Sequence, residues 1–113
     1  MKNKTKIKIG IVILLILLFT GITLIRMSHS KTEVIKCISE KAILYSQSNN
    51  AFCIQQEEVF KKKVKLLNGV DCSVYYGVCS DAGVKVLPTW ILNNGTQLIG
   101  FYQIKELQEI MGC

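Results

Sequence analysis

The chain has 113 residues, half of them hydrophobic, and a formal net charge of +6. Setting aside the first 30 residues leaves 83 for a folded body, enough for one modest core and too few for a two-domain enzyme or a dinucleotide-binding sheet. The charge is concentrated: Lys2, Lys4, Lys6, Lys8 and Arg26 flank an apolar run, whereas Lys31–Cys113 carries nine Lys against eight Asp and Glu. The basic balance therefore points to a membrane flank and gives no support to nucleic-acid binding. The local run Lys61–Lys63 with Lys65 reads as a solvated helix end.

Residues 9–25, Ile9 to Ile25, contain no charge. As a helix this run is about 26 Å long at 1.5 Å per residue, close to the thickness of a bilayer's hydrocarbon core. Four lysines precede it, and Arg26, Lys31 and Lys36 follow more sparsely, so the excess of positive charge predicts a cytoplasmic N-terminus and a body on the far side. A cleaved signal peptide is the rival reading, with Ser28 and Ser30 small enough for a cleavage site. The absence of an A-x-A pattern and the length of the run favour a retained anchor. Either outcome places the body outside the cytosol, retained or secreted. Five cysteines, all beyond the apolar run, are dense for a cytosolic domain and natural in an oxidising compartment. No two of them form a C-x-x-C pair, which disfavours a zinc site, and no metal or other cofactor is implied.

Residues 1–30 thus divide into tail, transmembrane anchor and linker, the last being Met27–Lys31, and residues 31–113 form the body. Thr32–Lys41 has Val34, Ile35 and Ile38 at helical spacing. Ala42–Tyr45 is a short buried strand. Ser46–Asn50 is a polar loop with good capping residues, followed by a helix over Ala51–Lys65 with Cys53, Val59, Phe60, Val64 and then Leu67 mainly on one face. Asn68-Gly69 signals a turn, and Val70–Tyr75 a second strand. Val78–Ala82 is a short helix stopped by Gly83, a residue that accepts the left-handed conformation. Val86–Leu92 is a third strand with Pro88, the chain's one proline, near its start. Asn93-Asn94-Gly95 is a hairpin turn, Gln97–Gly100 the returning strand, and Gln103–Met111 a closing helix with Ile104, Leu107, Ile110 and Met111 inward. The order α-β-α-β-α-β-β-α predicts an α/β (α+β) fold with a small mixed sheet covered by helices.

Particular residues sharpen this. They are Cys37-Ile38-Ser39-Glu40-Lys41, Tyr45, Gln56, Glu58, Phe60, Val70-Asp71-Cys72, Cys79 through Gly83-Val84, Pro88-Thr89-Trp90, Asn94-Gly95 and Gly112-Cys113. Across Lys36–Cys113 the chain resembles the small thioredoxin-like domain fused to, or encoded beside, bacterial and plant-type vitamin K epoxide reductase homologues. The resemblance implies a minimal thioredoxin-like fold preceded by one transmembrane helix, thiol–disulfide chemistry, and a protein thiol or membrane oxidoreductase as partner. The family's C-x-x-C motif corresponds to Asn50-Ala51-Phe52-Cys53. Two registers are open: Cys53 as the first cysteine of Cys53-Ile54-Gln55-Gln56, or as the second, with Asn50 where the first would stand. Spacing to Gln56, Phe60 and Cys72 fits the second.

A dithiol enzyme needs one sulfur to attack and another to release the mixed disulfide. Cys53 has no such neighbour, so the expected activity is that of a monothiol, its thiolate favoured by the start of a helix. The opposing reading is a buried, inert thiol in a non-catalytic module that binds peptides or a membrane redox partner. The resemblance implies a cis Leu87–Pro88 bond, although only about 5–6% of X–Pro bonds are cis, with Leu87 and Pro88 forming an edge for an extended peptide. It also implies two disulfides, Cys72–Cys79 and Cys37–Cys113. Spacing permits the first, which is either structural or a second redox couple, with structure favoured; the second ties the ends together. Trp90 reads as core and His29 as linker. Asp71 invites comparison with the buried acid of thioredoxins.

Overall fold

The computed structural model describes residues 2–113 and, for residues 25–30, the backbone alone. The readings of Arg26, Ser28, His29 and Ser30 therefore lie outside the described residues. The chain divides into two compact units, Met1–Thr32 and Glu33–Cys113.

Helix α1 runs over Lys2–Lys41. The expected linker Met27–Lys31 is helical instead. The reason is legible after the fact, since neither glycine nor proline stands anywhere between Gly21 and Gly69 to stop a helix. Within the first unit, Lys2–Leu24 is long and apolar enough to cross a membrane, and it buries nothing of that span; a signal sequence has the same features. The candidate span thus reaches further back than the apolar run Ile9–Ile25.

In the second unit the last turns of α1 lead directly into β1 (Ala42–Ser46). Then come α2 (Ala51–Glu58), a 3₁₀ segment Lys61–Leu66, β2 (Gly69–Asp71), α3 (Tyr76–Asp81), β3 (Thr89–Leu92), β4 (Gln97–Ile99) and α4 (Ile104–Met111). The four strands form one sheet in the order β2-β1-β3-β4. β2 is parallel to β1, and β3 is antiparallel to both β1 and β4. The expected mixed α+β architecture is present.

Strand alternation separates two cores. Ala42, Leu44 and Trp90 face Ile35, Ile38, Phe60, Leu107 and Met111 on one side of the sheet. Tyr45, Ile43 and Ile91 face Cys72, Cys79, Val84 and Leu87 on the other. Trp90 is core, fully buried, with its ring 5.9 Å from that of Phe60.

Three elements differ from expectation. The helix over Ala51–Lys65 stops at Glu58, and Lys61 takes a positive φ of 51° before the 3₁₀ turn. Cys53, Gln56 and Phe60 still share the inward face at helical spacing, but the chain beyond Phe60 must bend to bring Gly69 beside Leu44 for the parallel pairing. The second strand is shorter than Val70–Tyr75, because Asp71 turns the chain: its carboxylate accepts from the Ser73 N–H and hydroxyl, and its carbonyl from Tyr75 N–H at 2.8 Å. In α4, Leu107 and Met111 are buried and Ile104 packs against them, whereas Ile110 is exposed, being rotated off that face.

The ends of the unit are tied tightly. The Asn93 amide donates to Glu40 O and its backbone N–H to Lys41 O, capping the end of α1. The Lys41 ammonium donates to Met111 O at 2.7 Å. Gly112 takes a left-handed φ of 67°, which lets Cys113 N–H return to Gln108 O. Cys113 is bonded to Cys37.

Candidate thiol–disulfide site

The start of α2 is set by Asn50. It has the extended backbone of an N-cap, and its side-chain oxygen accepts from Phe52 N–H at 2.9 Å and Cys53 N–H at 3.2 Å. Asn50 therefore occupies the place where an exposed nucleophile would begin a helix. It also uses the backbone donors that would otherwise steady a thiolate. Ala51 and Phe52 are exposed, and Phe52 presents a bare aromatic ring.

Cys53 is the free cysteine of the chain and is 1% exposed. Burial pushes its thiol above the ordinary value; a backbone hydrogen bond from Gln47 works against this, while the Glu57 and Asp71 carboxylates add to the rise. The thiol is therefore raised, where the start of a helix by itself would favour the thiolate. The signal that the sequence lacked was the pair of carboxylates, Glu57 and Asp71, whose charge reaches the sulfur once the chain has folded. Glu57 is itself held by the Ser46 hydroxyl.

Asp71 is not the counterpart of a buried acid. Its hydrogen bonds from Ser73 hold its carboxyl below the usual carboxylate range, and its work is local, shaping the turn after β2.

That turn presents Cys72, which is bonded to Cys79 in α3 with a Cα separation of 5.8 Å. Cys72 N–H donates to Ser46 O, anchoring the loop to β1. Gly83, at φ 77°, ends α3, and Val84 N–H returns to Cys79 O. The next residues lead to Leu87–Pro88, whose peptide bond is cis. The Thr89 hydroxyl donates to Val86 O, and Gly100 N–H to Pro88 O, fixing the turn into β3.

These segments enclose a cavity of about 330 Å³ lined by, among others, Gln47, Cys72, Tyr76, Cys79, Lys85 and Leu87. The structure thus brings Cys72, Cys79 and Leu87 together at one wall. The Gln47 backbone, which lies in the same lining, also hydrogen-bonds the Cys53 thiol. Pro88 is buried behind Leu87. Cys37 and Cys113 are elsewhere, with Cys113 packed against the Trp90 core. Gln47, Tyr76 and Lys85 were not singled out by the sequence; polar loop residues and an isolated lysine carry no spacing signal, and only the fold assembles them.

Gln56 is the buried brace of this region. Its amide donates to Tyr102 O at 2.8 Å and accepts from Tyr102 N–H at 2.7 Å, joining α2 to the segment between β4 and α4. Among the described residues no group of His, Cys, Asp and Glu is arranged to hold a metal ion.

The arrangement defines a small α+β protein with a four-stranded mixed sheet, two disulfides and one buried free thiol. No family model matches the chain. It is similar to a protein of Arabidopsis thaliana described as thiol-disulfide oxidoreductase LTO1, at 28% identity over 109 residues. The similarity covers 78% of this chain and 29% of that protein, so the chain spans less than a third of its relative's length.

Proposed function

We propose that this protein takes part in thiol–disulfide exchange outside the cytosol, tethered by its N-terminal helix with the amino terminus on the cytoplasmic side. In this reading residues 1–30 serve as tail, anchor and linker, and residues 31–113 carry the chemistry; cleavage after the apolar run would release the same body. The lysines at 2, 4, 6 and 8 support the orientation, and five cysteines with two disulfides suit an oxidising compartment. The partner is a protein thiol or disulfide, or a membrane oxidoreductase of the vitamin K epoxide reductase type, the kind of protein to which the thioredoxin-like domain resembled by the sequence is fused or beside which it is encoded.

The observation that carries the reading is a free sulfur, Cys53, in the first turn of α2 and hydrogen-bonded to the backbone of Gln47, a residue of the disulfide-walled cavity, in a chain similar to a thiol–disulfide oxidoreductase. Acting alone, Cys53 forms one mixed disulfide and leaves its resolution to a second thiol. A second reading is favoured by its 1% exposure and raised thiol: the body binds an extended peptide along Leu87–Pro88 without catalysis.

Alkylation of the folded, full-length protein at graded pH, read by mass spectrometry, separates the two. Modification of Cys53 before any unfolding supports the monothiol. Modification only in denaturant removes Cys53 from the chemistry and leaves the binding module.

A further inference from the structure

The cavity described above has a wall that the monothiol reading leaves without work. Both cysteines of the Cys72–Cys79 pair line it, although each is largely shielded from bulk solvent, at 8% and 4% exposure. A sulfur in that position is reached by a group seated in the cavity rather than by a passing solute. In the segments that supply its lining the chain exposes Val74 and Tyr75 just before α3, Tyr76 at its start, and Val86 next to Leu87 in sequence. Tyr76 and Leu87 line the cavity themselves. Apolar rings and a backbone edge of this kind suit a peptide rather than a small polar thiol. Lys85 lines the same space and is exposed, so the cavity carries a cation that favours a thiolate within it.

We propose that the Cys72–Cys79 disulfide is the electron acceptor of this protein, taking two electrons from an extended peptide that carries two cysteine thiols. The inference rests on the thiol–disulfide reading above but moves the reaction from Cys53 to the cavity wall. A peptide thiolate attacks one sulfur of the pair, a peptide–protein disulfide forms, and the Cys72–Cys79 bond breaks. The departing cysteine takes up the proton that the peptide thiol gave up. The second peptide thiol then attacks the peptide's own sulfur in the mixed disulfide, and the second protein cysteine leaves as a thiolate and is protonated. The peptide is oxidised to an internal disulfide, Cys72 and Cys79 are reduced to two thiols, and one turnover needs no other reactant. Cys53 takes no part.

The test incubates the full-length protein, in detergent or a lipid nanodisc, with a synthetic peptide holding two cysteines several residues apart. Acid quench, alkylation and mass spectrometry then report each sulfur. The expected result is one equivalent of oxidised peptide with Cys72 and Cys79 alkylated and Cys37–Cys113 intact. Cys72→Ala/Cys79→Ala should not oxidise the peptide, and Lys85→Glu, an exposed change, should slow the reaction at least tenfold. The labelling of the natural protein decides the matter even if the double variant fails to fold. An intact Cys72–Cys79 with peptide bonded to Cys53 overturns this proposal and leaves the monothiol standing. Opening of Cys37–Cys113 in place of Cys72–Cys79 also overturns it. No reaction at any cysteine removes both.

Discussion

The Cys37–Cys113 bridge spans a sequence separation of 76 and fastens the last turn of α1 to the end of the chain, whereas Cys72–Cys79 spans seven residues within one turn and one short helix. The first bears on the side of the sheet that holds Trp90, Phe60 and Leu107, the second on the side that holds the cavity. In the chain-entropy description the long loop restricts the unfolded state by about 4.5 kcal/mol and the short one by about 2.5 kcal/mol. The long bridge is thus the greater constraint on a body with a modest core. The short one contributes less to holding the fold and is placed where a ligand can reach it. In the proposed reading the two sides of one sheet carry separate duties, one cohesive and one chemical.

That contrast can be broken by removing each bridge in turn. Replacing Cys37 and Cys113 together with Ala should cost about 4 kcal/mol in a denaturant titration, the largest effect expected here. Replacing Cys72 and Cys79 together should cost nearer 2 kcal/mol and leave the Trp90 side of the sheet packed. Equal losses from the two pairs would dissolve the comparison. Gln56→Ala tests the brace between α2 and the segment before α4. It removes both hydrogen bonds to the Tyr102 backbone and leaves those groups unpartnered, with an expected loss of about 2 kcal/mol read in the same titration.

The two sides were also unequally legible in the sequence. The cohesive side follows from local pattern: helical spacing finds Ile35, Ile38, Leu107 and Met111, and Asn93-Asn94-Gly95 marks the turn between strands. The strands, their order of appearance and the burial of Trp90 follow from the same signals. The stop of α2 at Glu58 was hidden, since no residue there breaks a helix; a demand of the sheet, the pairing of Gly69 with Leu44, bends the chain. On the chemical side the sequence could name Cys53, Cys72, Cys79 and Leu87 but not their surroundings. Desolvation of Cys53, the approach of Glu57 and Asp71, and the cavity that joins Gln47 to Lys85 exist only after residues distant along the chain have packed together.

The smallest effects concern the start of α2, where the cohesive and chemical roles meet. Asn50→Ala removes the cap and should cost about 1 kcal/mol. It also returns the Phe52 and Cys53 N–H groups to the solvent, so alkylation of Cys53 should begin at lower pH than in the natural protein. The companion experiment compares the natural protein with Cys53→Ala as pH rises. Because burial raises the folded thiol's pKa above its unfolded value, the unfolded chain loses this proton first. The stability that the protonated thiol contributes is therefore complete below the unfolded pKa and declines as pH climbs toward the folded one. The natural protein should lose stability relative to Cys53→Ala across that alkaline window, measured by paired denaturant titrations. Parallel curves would mean that Cys53 has the same affinity for its proton folded or unfolded, and the sulfur would then be open to ordinary thiol chemistry, blurring the line between the two sides of the sheet.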